Sequence, residues 1–266
     1  MKKILLLLLL CIPLIVPAQQ LVSYTNRVSN GYNFWVYTPS GYDSTVADKP
    51  IVLFLHGQSL CGSDLNRVRR YGTLDALNMG RQIDAVVVAP QNPGGSWNPQ
   101  KLYALLEWME ANYPIDSTRV YVLGMSLGGY GTMDFAGTYP DKIAAAMALC
   151  GGTTLSDSQK DGLGRLPMWI MHGTADRAVP VSCSKTVVEY LKKNKKDSLL
   201  RYWWLPGASH GILARLFYLQ KTYDWLFTHC LKDSPRVVDR SFDITMDDIK
   251  TTYEELKWSQ DMFEDD

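Results

Sequence analysis

The apolar positions fall into six runs. They are Ile51–Leu55, Ala85–Ala89, Val120–Leu123, Ala144–Leu149, Met168–Met171 and Leu200–Leu205, and each meets a glycine or proline within two residues of its end. Runs of this kind are buried on both faces, the habit of strands in a parallel sheet. Ahead of them, residues 21–28 and 32–39 read as two strands around Ser29-Asn30-Gly31, a hairpin-type turn. Between the runs the period changes to that of a helix. Leu102, Leu105, Leu106 and Met109 share one face of 100–113. Val187, Val188 and Leu191 do so in 181–195, beside a lysine-rich face, and Leu216, Leu219, Tyr223 and Leu226 in 214–228. Alternating strands and helices predict a doubly wound α/β fold, its sheet mostly parallel with antiparallel N-terminal strands.

The first residues follow a different logic. Lys2 and Lys3 precede an apolar run from Ile4 to Val16, and Pro17-Ala18 leads into polar Gln19-Gln20. This is the pattern of a signal peptide cut after Ala18, and it is short for a membrane span. The expected organisation is a signal peptide over 1–18, a catalytic domain over 19–230 and an acidic extension over 231–266, in a secreted or periplasmic protein without a stable membrane anchor. From Arg236 onward the chain carries ten acidic and four basic residues. Residues 247–262 can form a helix with Ile249, Tyr253 and Leu256 on one face, either packed on the body or loosely attached.

Charge removes some functions. The formal net charge is 0, or −2 once the two leader lysines are gone, so nucleic acid is not an expected partner. Cys61, Cys150, Cys183 and Cys230 would remain; in an oxidising compartment they can form up to two disulfides. None sits in a CxxC pair. No HExxH and no cluster of His and Cys ligands occurs, so no metal or other cofactor is expected.

The chemistry centres on Gly124-Met125-Ser126-Leu127-Gly128-Gly129. A GxSxG pentapeptide is weak alone, since chance gives about 0.1 matches in a chain this long. Here it follows an apolar strand and precedes a helix-compatible stretch, Tyr130 to Tyr139, which makes it a strand–turn–helix elbow. Small residues let the turn be sharp and push the Ser126 hydroxyl out above the sheet. A serine hydroxyl needs a base within reach. Of the four histidines, His210 lies in Gly207-Ala208-Ser209-His210-Gly211, just beyond the last strand. The acid that orients it should sit between the two at a strand's carboxyl end, as Asp176 does in His172-Gly173-Thr174-Ala175-Asp176. Asp141 and Asp157 compete but follow no such turn. The chain order Ser, Asp, His is that of the elbow enzymes. For the oxyanion, one donor should be the Leu127 backbone N–H and the other that of Gln58, with Ser59 next, in the loop after the first parallel strand. His56 is expected to support that loop.

Together, HG after a strand, GMSLGG at an elbow, HGTADRAVP and GASHG resemble the α/β-hydrolase superfamily over about residues 32–230. Within it the chain is similar to bacterial secreted esterases related to feruloyl and acetylxylan esterases, and to predicted peptidases and carboxylesterase-like proteins. Leu60-Cys61-Gly62-Ser63-Asp64 matches the G-S-D end of the relatives' oxyanion loop, whereas Gln58 replaces a commoner small residue. The resemblance implies a serine carboxylic-ester hydrolase acting through an acyl-enzyme, with an ester substrate linked to plant cell-wall carbohydrate. A serine peptidase and a non-catalytic carbohydrate-binding module are the alternatives. Only Thr153 to Leu166 separates two strands where large lids often insert, which suits an open cleft. Trp97, after a strand's carboxyl end, is positioned either to stack on substrate or to pack under its own loop; Ser59 is a second candidate contact.

Overall fold

A computed structural model describes residues 18–261. Eight strands form one sheet among them: β1 (Gln20–Tyr24), β2 (Asn33–Thr38), β3 (Ile51–Leu55), β4 (Val86–Gln91), β5 (Val120–Met125), β6 (Ala145–Leu149), β7 (Met168–Gly173) and β8 (Leu200–Leu205). Their order is β1-β2-β4-β3-β5-β6-β7-β8. β1 pairs antiparallel with β2 and β2 with β4; every later pairing is parallel. This is the predicted doubly wound α/β arrangement, and it is the α/β-hydrolase fold. β1 ends four residues before the expected boundary, because Asn26 and Asn30 take positive φ and turn the chain out of the strand early.

The buried runs are explained by what covers each face. Alternate side chains of a strand point to opposite sides. Val52 and Phe54 of β3 enter one apolar cluster, while Ile51, Leu53 and Leu55 enter the other. The first cluster is closed by α1 (Thr73–Asn78), a 3-10 stretch (His210–Tyr218), α6 (Gln220–Phe227) and α7 (Met246–Asp261). The second is closed by α2 (Pro99–Asn112), α3 (Leu127–Thr138), α4 (Asp157–Leu163) and α5 (Ser182–Lys193). Local signals set the helix starts: Pro99 opens α2 while the Asn98 side chain accepts from the Lys101 N–H at 3.0 Å.

Two helical expectations are refined. The stretch read as one helix over 214–228 is two pieces, since Leu219 adopts extended backbone (φ −86°, ψ 126°) between the 3-10 turns and α6. The C-terminal helix packs on the body. Ile249 and Leu256 are buried in the first cluster, Tyr253 meets Tyr218 edge-on at 4.9 Å, and Lys221 pairs with Asp248 at 2.9 Å. Arg81 reaches Glu255 at 3.1 Å. The acidic surplus therefore lies over an apolar face that the core requires. Among the described residues Cys61, Cys150, Cys183 and Cys230 are free thiols, and none of the disulfides that an oxidising compartment would allow is formed. Residues 1–17 of the expected signal peptide lie outside the described residues. Among the described residues no helix is long and apolar enough to cross a membrane.

Strand order also locates the crevice. The chain leaves β3 toward β4 through α1 on one face, then returns past β3 to β5 through α2 on the other. Connections diverge at the carboxyl ends of β3 and β5, where α/β sheets open a ligand crevice.

Candidate active site

The elbow after β5 is tight because its glycines leave no room for side chains. A Cβ on Gly124 would lie 2.5 Å from the Gly128 carbonyl oxygen, and one on Gly128 would lie 1.8 Å from that of Leu55. α3 can thus start directly against β3. Ser126 takes φ 60° and ψ −122°, a conformation that costs a non-glycine residue about 1–3 kcal/mol. Its N–H donates to Leu149 O at 2.8 Å, and its carbonyl accepts from Tyr130 N–H at 3.0 Å. Those bonds hold the strained turn and leave the hydroxyl facing a cavity of about 510 Å³. The lining includes Gly57, Gln58, Ser59, Tyr71, Ser126 and His210.

His210 comes from the loop after β8 and Asp176 from the loop after β7. His210 Nδ1 donates to Asp176 Oδ2 at 2.6 Å, with the carboxylate fully buried and the ring about one quarter exposed. Asp176 Oδ1 accepts from the N–H groups of Ala178 (2.8 Å) and Val179 (2.9 Å). Burial by itself would raise the carboxyl's pKa. The donors from His210, Val179 and Ala178 outweigh it and hold the group below the usual carboxylate range. The competing acids are elsewhere: Asp141 pairs with Arg165 and Asp157 with Lys160. Ser126 and His210 share the cavity without a direct hydrogen bond between them; such bonds are often long in ligand-free sites and tighten with substrate.

Leu127 is the first residue of α3 and Gln58 the first of a 3-10 turn (Gln58–Leu60), so both N–H groups lie at helical N-termini without intrahelical partners. Gly57 keeps this loop close to the elbow: a Cβ there would sit 3.5 Å from Ser126 Cβ and 2.9 Å from the Tyr71 hydroxyl. His56 supports the loop from below. Its Nδ1 donates to Gly57 O at 2.8 Å and its Nε2 accepts from Asn92 N–H at 3.0 Å, bonds that need a neutral ring. Burial lowers its pKa to about 4.

Trp97 is corrected. The side chain is 3% exposed, donates from Nε1 to His56 O at 3.2 Å, and packs edge-on against Tyr32 and His56. Its ring fills the space above Gly131 of α3. It is part of the core under its own loop and does not reach the cavity. Ser59 does line the cavity, with its hydroxyl 3.1 Å from that of Tyr71. Tyr71 was missed by the sequence reading. It lies in irregular chain between two short helical segments, with no periodic signal to single it out.

The molecule is thus an α/β-hydrolase by fold, with a serine elbow, a histidine–aspartate pair and two unpaired N–H groups at one rim. A family model described as Phospholipase/Carboxylesterase matches residues 98–229. The chain is 30% identical over 135 residues to poly(3-hydroxyalkanoate) depolymerase C of Paucimonas lemoignei, covering 44% of this chain and 30% of that protein. To a bifunctional acetylxylan esterase/xylanase of Neocallimastix patriciarum it is 28% identical over 182 residues, covering 65% and 25%. It spans between 25% and 51% of the length of the curated relatives it matches. A thermostable esterase superposes with a TM-score of 0.63 at 23% identity, over 80% of this chain and 63% of the other. The feruloyl esterase module of Clostridium thermocellum, complexed with sinapinate, gives 0.57 at 18% identity, over 75% and 86%. In sequence the chain is similar to acetylxylan esterases, and in fold to feruloyl esterases.

Proposed function

We propose that the protein is a serine carboxylic-ester hydrolase that removes acyl groups from plant cell-wall carbohydrate, acting outside the cytoplasm after loss of residues 1–18. The observation that carries the reading is the 2.6 Å bond from His210 to a buried Asp176, on a ring that shares its cavity with the strained Ser126. In this reading His210 Nε2 takes the Ser126 proton as Oγ attacks the ester carbonyl. The N–H groups of Leu127 and Gln58 receive the developing oxyanion. The carbonyl–alkoxy bond breaks, the alcohol leaves with the proton from His210, and an acyl-enzyme remains. Water, deprotonated by the same ring, then releases the acid. Asp176 keeps Nδ1 protonated and offsets the imidazolium charge.

The choice of substrate is supported by the acetylxylan esterase names among the relatives, by the feruloyl esterase among the structures of similar fold and by the short connection between β6 and β7. Between β6 and β7 the described chain holds only the seven-residue α4, so a bulky alcohol has access. Acetylated and feruloylated xylo-oligosaccharides are the substrates to assay. Turnover of short peptides with none of any ester would replace this reading by a peptidase. Ser126→Ala should lower turnover by on the order of 10⁶ and abolish labelling by a fluorophosphonate. A wild-type chain that does not label would indicate a binding module.

A further inference from the structure

Asp176 lies between two histidines. Besides His210, the ring of His172 at the end of β7 places its Nε2 3.2 Å from Asp176 Oδ2, with both side chains fully buried. The same nitrogen donates to Val179 O at 2.9 Å. Both neighbours are acceptors, so Nε2 carries a proton. Burial pushes the ring's pKa down. The Ser184 hydroxyl lies 2.8 Å from Nδ1 and donates its single proton to Gly151 O at 2.7 Å. Ser184 lies in the first turn of α5. Helix, strand and the loop carrying the acid are therefore tied through one imidazole.

We propose that His172 is a positioning residue for the hydrolytic site, holding the loop that carries Asp176 through Val179 O while its ring lies against Asp176 Oδ2. The inference rests on the Ser126–His210–Asp176 reading given above. The accounting of lone pairs supports it. Oδ1 takes two backbone donors, while Oδ2 accepts from His210 and lies 3.2 Å from the His172 ring. The remaining titratable group beside the carboxylate is the Cys150 thiol at the end of β6, whose pKa is pushed up by burial and by the Asp176 charge. A carboxylate with one ring removed would turn more freely and bind the protonated His210 more strongly, since its charge would be shared with fewer donors. That should slow chemistry without weakening substrate binding.

The test compares His172→Phe, which keeps the volume but offers no donor, with His172→Gln, which restores an N–H. Labelling of the wild-type chain at Ser126 by a fluorophosphonate comes first, because its failure removes the triad and not merely His172. For a folded, labelling-competent His172→Phe, kcat on an aryl acetate should fall about tenfold or more with KM within about twofold. The acid limb of the kcat/KM profile should move to higher pH. Gln should recover part of both. Unchanged kcat and limb, or a loss that Gln does not relieve and that leaves the limb in place, would overturn the proposal and leave His172 a packing residue. If the Phe variant does not fold, Ser184→Ala decides. It should lower kcat a few-fold and move the limb the same way, and a wild-type profile would overturn the proposal.

Discussion

A buried carboxylate is tolerable only when its lone pairs are filled, and Asp176 shows how few residues that takes. Two N–H groups of its own turn and the His210 ring bond it, with the His172 ring 3.2 Å away. Trp97 illustrates the opposite case, a side chain whose value is volume. Its ring lies against Gly131, Tyr32 and His56, so Trp97→Ala should cost about 3–5 kcal/mol of stability. Denaturant unfolding would measure that loss, and KM for an ester should stay within about twofold. A tenfold rise in KM at unchanged stability would return Trp97 to the substrate site. Residue type told the two cases apart poorly. Ser126, Asp176 and His210 stood out because a turn, a strand end and chain order marked them. An aromatic residue after a strand fits a cleft or a core equally well, and only packing separates these.

At the scale of elements, the elbow depends on how closely β3, β5 and α3 approach. Gly128 lies in the first turn of α3, where alanine would gain up to about 1 kcal/mol of helix propensity. The added Cβ would meet the Leu55 carbonyl at 1.8 Å, backbone against backbone, so sterics decide the sign. Gly128→Ala should lower the melting temperature and reduce fluorophosphonate labelling together, because α3 must move and carries Leu127 with it. A variant with wild-type melting and labelling would show that the elbow has room to spare. The elbow and the parallel strands were legible because each is a local pattern, an apolar run closed by glycine. The break at Leu219 and the short helices α1 and α4 were not, since one or two turns carry too few periodic positions to be distinguished from loop.

For the whole molecule, pH acts through rings that the fold keeps neutral. His56 and His229 are both buried, and burial lowers each pKa to about 4, from 6.5 in the unfolded chain. Between those values the unfolded state binds more protons than the folded state, so stability falls as pH drops. The melting temperature should be nearly constant above about pH 7 and decline steadily from 6.5 toward 5. His229→Gln should reduce the slope. Thermal melts across that range would check both, and a flat profile would mean that neither ring is held neutral.

The sequence alone determined the alternation of strands and helices, the nucleophile turn and the order of the three chemical residues, because each is written in near neighbours. Tertiary structure decided the rest. It placed the acidic C-terminal helix on the core, put Trp97 beneath its loop, left the four described cysteines as free thiols and set a second histidine against Asp176. These depend on which distant segments meet across the sheet, and the free energy of such contacts comes from shared burial, which is not encoded at any single position.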